Sequence, residues 1–241
     1  FIWSPSNIRR DLGGSEAVKR AYDECQALAV KAGLPGITFV AMEYDFSPSS
    51  MAALSAEGYY GVTSYHEWGI DNAEALGSLS YRSVVAKSPE AWVRKKAAAG
   101  TLEYYPVVDT GWDSRPWTGD SAFMVHGRTP ERFKELLRSA RDFVRDRKSK
   151  LVILGPVNEW GEGSYIEPNT EYGFSMYETI RAVFGEGDPA SWPVNLAPAD
   201  LGLGPYDFPP QPSTLDWDFA DGAGAWSPYM GMTAPEFRDG A

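Results

Sequence analysis

The sequence holds one cysteine, Cys25, and only two histidines, His66 and His126. A lone thiol excludes an internal disulfide and any zinc site built on cysteines. Two imidazoles argue against a histidine-rich metal centre, so neither a metal nor a cofactor is expected. Long apolar runs are missing too. Nothing approaches the roughly 20 residues that cross a bilayer as a helix, so no membrane span is expected. Positive charge is scarce, with 22 Lys and Arg against 33 Asp and Glu and a net charge of −11. Non-specific nucleic-acid binding needs clustered basic residues to displace phosphate counterions, which excludes a nucleic-acid partner. The opening Phe1-Ile2-Trp3-Ser4-Pro5 has no initiator Met, basic leader or apolar signal core, and reads as the cut end of a buried strand.

Apolar and aromatic residues are plentiful. The 241 residues are 43% apolar, ample for a core, and 14% aromatic, with 9 Trp, 13 Tyr and 11 Phe. An acidic, ring-rich chain suits neutral, ring-shaped ligands such as sugars.

Strand-like and helix-like stretches alternate along the chain. Residues 15–32 place Ala17, Val18, Ala21, Cys25, Leu28 and Ala29 on one face before Gly33, which predicts a helix with Cys25 in the core. Residues 37–42 form an apolar β-run, and Ser47-Pro48 caps a helix that runs to Glu57. Residues 59–65 read as the next strand, Ser88-Pro89-Glu90 as the cap of a helix through Ala99, and 104–108 as strand. Thr129-Pro130-Glu131 repeats the cap for a strongly amphipathic helix carrying Phe133, Leu136, Leu137, Ala140 and Phe143. Residues 151–154 form an apolar strand, and 172–184 a last helix.

Strand then helix, four times over, is the pattern of a parallel sheet covered by helices. A doubly wound sheet would more often show a glycine-rich phosphate loop after its first strand, and none is present. The expected fold class is therefore α/β, a (β/α)8 TIM-type barrel, with its polar residues on the loops that follow each strand. Those loops carry Glu43-Tyr44-Asp45, His66-Glu67-Trp68, Asp109 to Trp117 and Asn158 to Glu162. A whole barrel takes about 250 residues and eight strands. Four strands and a stub at Phe1–Trp3 make residues 1–184 the C-terminal part of one. Its expected partner is the missing N-terminal barrel half, in the same parent chain or a separate one. From 185 to 213, 11 of 29 residues are Pro or Gly, which predicts a linker. Residues 214–241, with alternating Leu215-Asp216-Trp217-Asp218-Phe219 and a turn at Asp221-Gly222, read as a short β-rich tail. The tail would start a β-rich domain for which carbohydrate binding is one candidate role.

The stretch Asn158-Glu159-Trp160-Gly161-Glu162-Gly163-Ser164-Tyr165-Ile166-Glu167-Pro168 follows the last strand and holds three carboxylates. Glycosidic cleavage needs one protonated carboxyl to assist the leaving oxygen and one ionised carboxyl as base or nucleophile. Crowded carboxylates beside an aromatic wall can split their pKa values in that way. Glu159 and Glu162 are the catalytic candidates, with Asn158, Trp160 and Glu167 beside them as candidates for substrate contact. Tyr65, His66 and Glu67 follow another strand and can reach the same cleft. Asp109 ends its strand. Trp112, Asp113, Arg115 and Trp117 share one loop, where indoles can stack on sugar faces and charged groups can bond hydroxyls. An internal Asp113–Arg115 contact that shapes the loop is the competing reading.

Asn158 to Pro168, followed by Thr170-Glu171-Tyr172-Gly173-Phe174, resembles the signature of the glycoside hydrolase family 99-like (WbsX-type) proteins. Gly111-Trp112-Asp113-Ser114-Arg115-Pro116 and Gly127-Arg128-Thr129-Pro130-Glu131 resemble the segment those proteins carry upstream. The resemblance covers about residues 100–185 well and 1–100 loosely. It implies retaining, endo-acting cleavage of α-mannosidic linkages in a (β/α)8 barrel. By the same resemblance, Glu159 assists the sugar's own 2-hydroxyl through a 1,2-anhydro intermediate, and Glu162 is general acid and then base. Gly161 stands where the family 99 motif Asn-Glu-Trp-His-Glu-Gly has His, which leaves the exact mannoside open. Some family-99-like members are labelled as polysaccharide-biosynthesis glycosyltransferases, so a transferase or transglycosylase is the alternative, and a non-catalytic glycan-binding protein the third. Asp216-Trp217-Asp218 fits the Asp-x-Asp pattern of sugar-nucleotide sites in form. An oligosaccharide or polysaccharide substrate implies a secreted, periplasmic or cell-surface location.

Overall fold

The computed structural model describes residues 1–204. Two compact units divide between Ser191 and Trp192. Among the described residues of the second unit there is a 3₁₀ turn, Pro198–Leu201. The β-rich tail expected at 214–241 lies outside the described residues, as does Asp216-Trp217-Asp218.

The first unit begins with β1 (Ile2–Trp3), α1 (Pro5–Leu12) and α2 (Ser15–Lys31), followed by β2 (Val40–Met42), α3 (Pro48–Glu57) and β3 (Gly61–Thr63). A short β4 (Ser78–Ser80) leads into α4 (Tyr81–Ala98), then β5 (Glu103–Tyr104) and β6 (Val107–Val108). Next come β7 (Trp112–Asp113), α5 (Arg115–Thr118), β8 (Met124–His126), α6 (Pro130–Val144) and β9 (Ile153–Leu154). The unit ends with the hairpin β10 (Asn158–Glu159) and β11 (Ser164–Tyr165), and α7 (Ser175–Phe184).

β1, β2, β3 and β5 pair in that order, all parallel. β5 and β6 are one strand course interrupted at Pro106, which has no N–H to give to a ladder. Beyond the break β6 pairs with β9, again parallel, and the Pro106 carbonyl accepts from the Ile153 N–H. The molecule is thus α/β with parallel sheets, and five strand courses lie side by side in chain order. A doubly wound sheet reverses its strand order beside its first strand; these five courses show no such reversal, and the antiparallel pairs lie apart from them, in the small sheet β4-β8-β7 and the β10–β11 hairpin.

Two of the expected caps form. The Ser47 hydroxyl accepts from the Ser50 N–H and the Thr129 hydroxyl from the Arg132 N–H, each ahead of a proline at the first helical position. α6 buries Phe133, Leu136, Leu137, Ala140 and Val144 and packs between α4 and α7. Among the described residues no helix is long and apolar enough to cross a membrane.

Three expectations change. Cys25 is exposed rather than in the core. The buried stripe of α2 is Val18, Tyr22 and Ala29, so Val18 and Ala29 lie inside as read, Tyr22 joins them, and Leu28 is exposed along with Cys25. Tyr22 anchors that stripe by stacking on Phe39 at 4.1 Å and sharing a hydrogen bond with Tyr59. The helix expected from Ser88 begins at Tyr81, with Ser80 as its cap and Pro89 inside it. Gly69, at φ +78°, lies against the residues just before that proline: a Cβ there would sit 2.6 Å from the backbone of Lys87 and Ser88. Helix α1 was not expected. It is fastened from outside, because Arg9 and the Ser15 hydroxyl both bond the fully buried carboxylate of Glu57 at the end of α3.

Candidate active site

The loops that follow β2, β3, β6 and β9 converge. Their floor is Asp109, wholly buried just past β6. Its carboxylate accepts from His66 Nδ1 at 2.8 Å, from the Glu67 N–H at 3.2 Å and from the Gly111 N–H at 2.8 Å. Its backbone carbonyl accepts from the Tyr81 hydroxyl at the start of α4. β3 and β5 are paired neighbours, so residues 43 apart in the chain meet as His66 and Asp109.

The β10–β11 hairpin is laid across this floor. Ser164 donates to the Gly111 carbonyl, and Gly163 takes φ +64° to close the 3₁₀ turn Trp160–Glu162. A Cβ on Gly163 would sit 2.7 Å from the Asp113 Cβ and 2.8 Å from its nitrogen, so only glycine fits. At Gly161 a Cβ would lie 3.2 Å from Trp117, whose indole takes the room a side chain would need.

On one side of the hairpin a cleft of about 700 Å³ is lined by Tyr44, Tyr65, His66, Glu67, Trp68, Lys95, Trp112 and Glu162, among others. The Glu162 Oε2 is buried, has no hydrogen-bond partner and stands 3.9 Å from His66 Nε2, which is equally unpartnered. Burial raises the Glu162 pKa above the ordinary carboxylate value; the Glu159 charge adds to the rise and His66 opposes it. Half-buried Glu159 sits on β10 opposite Ser164, and its charge reaches both Glu162 and Tyr65. Burial of its phenolic end, bonded to the His66 backbone, pushes Tyr44 up to about 12. Glu67 lines the cleft with both oxygens engaged, one by the Gly69 N–H and the other by Lys95 Nζ at 2.5 Å. The walls are aromatic. Trp68 stacks on His66 at 5.3 Å, and Trp112 meets both rings edge-on.

The other side of the hairpin is a shallower cleft of about 450 Å³. Trp160, nearly half exposed, lies flat on Tyr165 at 4.1 Å and donates to Glu167 at 2.8 Å. Arg128 spans the Tyr165 and Tyr172 rings. Asp113 and Arg115 are paired with each other at 2.6 Å. Asn158 is exposed at the start of the hairpin.

Of the residues singled out in the sequence, the structure brings Tyr65, His66, Glu67, Asp109, Trp112, Glu159 and Glu162 together on the acid side. Trp160, Asp113, Arg115 and Glu167 gather on the other, with Trp117 stacked over the turn between. Sequence reading missed Lys95, which reaches the cleft from the last turn of α4, away from the loops that follow the strands. It also passed over Trp68 as a site residue, although its place after β3 could have shown it. Among the described residues no group of three or more His, Cys, Asp or Glu is arranged to hold a metal ion.

The fold resembles that of a solved glycoside hydrolase-like protein, with a TM-score of 0.52 and 18% identity over 70% of this chain and 50% of that one. A GH99 endo-α-mannosidase from Bacteroides thetaiotaomicron matches 61% of this chain and 43% of its own at 18% identity; its TM-score of 0.38 is too low to bear on the fold. Two curated relatives, each an uncharacterized protein WxcX from a strain of Xanthomonas campestris pv. campestris, are 30% identical over 81 residues. That stretch is 32% of this chain and spans only 12% of the relatives' length. The family model described as glycosyltransferase WbsX matches residues 14–180, well over half of the sequence, and the chain belongs to that family.

Proposed function

We propose that the chain carries the catalytic face of a glycan-processing enzyme that breaks and remakes glycosidic bonds by retaining carboxylate chemistry. The observation that carries the reading is Glu162, a carboxyl held above its ordinary pKa in an aromatic cleft with Glu159 on the same hairpin. Glu162 supplies the proton to the departing glycosidic oxygen. Glu159 draws the proton from the sugar's 2-hydroxyl, whose oxygen then displaces the leaving group to give a 1,2-anhydro sugar. Glu162, now a carboxylate, next takes the proton of the incoming acceptor, whose oxygen bonds to C1 as the C1–O2 bond of the anhydro ring breaks, and Glu159 returns its proton to the 2-oxygen.

Water as acceptor makes the enzyme a hydrolase, and an endo-acting one on an α-mannoside-like glycan is the leading reading. A sugar hydroxyl as acceptor makes it a transglycosylase or glycosyltransferase, and the family description, glycosyltransferase WbsX, supports keeping this second reading. Product analysis on α-mannan oligosaccharides separates the two, with shorter reducing sugars expected for hydrolysis and lengthened chains for transfer. Oligosaccharide binding with no change in chain length would leave only a glycan-binding protein.

The strand order supports a place for residues 1–184 in the C-terminal part of a (β/α)8 barrel. Five parallel courses run in sequence, and among the described residues the outer edges of β1 and β9 pair with nothing. The missing units would close those edges. A linker at 185–213 and a secreted, periplasmic or cell-surface location belong to the same proposal.

A further inference from the structure

The fixed point of the acid cleft is His66. Its ring is buried, packed between Tyr65, Trp68 and Trp112, and its Nδ1 is tied to a buried carboxylate on the neighbouring strand course. That bond commits Nδ1–H to Asp109 and leaves Nε2 as the nitrogen free to exchange a proton. Nε2 points at Glu162 Oε2 across 3.9 Å, and neither atom has another partner. Hydrogen-bond reach is about 1 Å shorter, a gap that rotation of the Glu162 side chain can close. Two unsatisfied buried polar atoms facing each other are costly unless they share something.

We propose that His66, anchored by Asp109, is a positioning residue that shares one proton with Glu162 and so sets the pH window in which Glu162 is an acid. The inference rests on the role given to Glu162 above. With the proton on Oε2, Glu162 is ready to protonate a leaving oxygen. With the proton on Nε2, the O–H bond is broken, an N–H bond is formed and the imidazolium faces a carboxylate. Only the proton moves. The anchored ring keeps Nε2 aimed at the acid. Other charged and titratable groups face the pair from every side of the cleft. Glu159 comes from the hairpin, Tyr44 from the loop after β2, Tyr65 from the end of β3, and Glu67 is neutralised by Lys95 of α4. None of these lies between Nε2 and Oε2 as their hydrogen-bond partner.

The test is a titration of the unliganded 241-residue protein, with ¹³C-labelled Glu carboxyls and ¹⁵N-labelled His rings followed by NMR. In the wild type, Glu162 and His66 each show two inflections, because coupled groups report the pair. His66→Gln moves the Glu162 midpoint upward by about half a pH unit or more. Glu162→Gln reduces His66 to one inflection. Glu162 is the more exposed partner, so its variant keeps the test decisive if His66→Gln does not fold. An unchanged His66 curve in Glu162→Gln, or an unchanged Glu162 midpoint in folded His66→Gln, overturns the proposal. Failure of the catalytic reading looks different: Glu162→Gln would turn over α-mannan oligosaccharide at the full rate although His66→Gln still moved the Glu162 midpoint.

Discussion

The two faces of the β10–β11 hairpin are made from neighbouring residues and built on opposite plans. On the acid face, carboxylates and an imidazole are buried, and three polar atoms, His66 Nε2, Glu162 Oε2 and Trp68 Nε1, have no partner. On the other, one atom, Arg128 Nε, is buried without a partner, Asp113 and Arg115 satisfy one another, and the largest ring, Trp160, is left half in solvent and steadied by Glu167. Burial without satisfaction perturbs acidity and is tolerated where chemistry needs it. Satisfaction with exposure gives a stiff, flat surface that costs little to maintain. On the proposed function, one hairpin holds a reactive face and a gripping face only two residues apart.

The sharpest way to break this division is kinetic. Glu162→Gln should lower kcat by about 10³-fold or more, while Trp160→Ala should leave kcat within a few-fold and raise KM roughly tenfold. Equal effects of the two variants on kcat would erase the distinction. Next comes stability, probed at the two glycines of the shared turn. Gly163→Ala meets Asp113 at 2.7 Å with φ +64°, and should cost about 2–4 kcal/mol by denaturant unfolding. Gly161→Ala, with no positive φ and a 3.2 Å contact to a movable indole, should cost under about 1 kcal/mol.

A gentler effect follows from the raised Glu162 pKa. A carboxyl that prefers its neutral form when folded destabilises the fold once it ionises. At neutral pH, Glu162→Gln should therefore melt at a higher temperature than the wild type. That gain should fade as the pH falls through the raised pKa of the folded state and be gone below the ordinary value of 4.5, where Glu162 is protonated in both states. A flat difference from pH 4 to 8 would deny the perturbation. The smallest effect is expected on the gripping face, where Arg115→Ala, removing one end of an exposed pair, should leave the melting temperature within about a degree.

Much of the scaffold could be read from the chain because it is written locally. Apolar runs marked the strands, and Ser47-Pro48 and Thr129-Pro130 marked helix starts whose hydroxyls do accept the capping bond. Ser88-Pro89 has the same look, but Ser80 holds the cap and the proline is absorbed into a longer helix, under a loop that crosses at Gly69. That choice is tertiary and leaves no trace in a window of ten residues. The site divides in the same way. Glu159 and Glu162 stand out because they lie on one short motif. The bond from His66 to Asp109 and the pair of Lys95 with Glu67 join distant positions, and only strand adjacency reveals them. Nor does spacing tell that Trp160 and Glu162, two residues apart, face different clefts.

The sequential order of the five strand courses also bears on how the protein is assembled at the ribosome. Each course finds its partner already made, so the sheet can grow one unit at a time without waiting for a distant segment. The His66–Asp109 bond is complete once β6 has docked, while Glu162 follows β9, the last course. Synthesis should then lay down the anchored imidazole first and add the acid to a finished floor. Stalled chains ending after Val144 should accordingly protect residues 40–108 from protease; digestion throughout that region would refute this order of assembly.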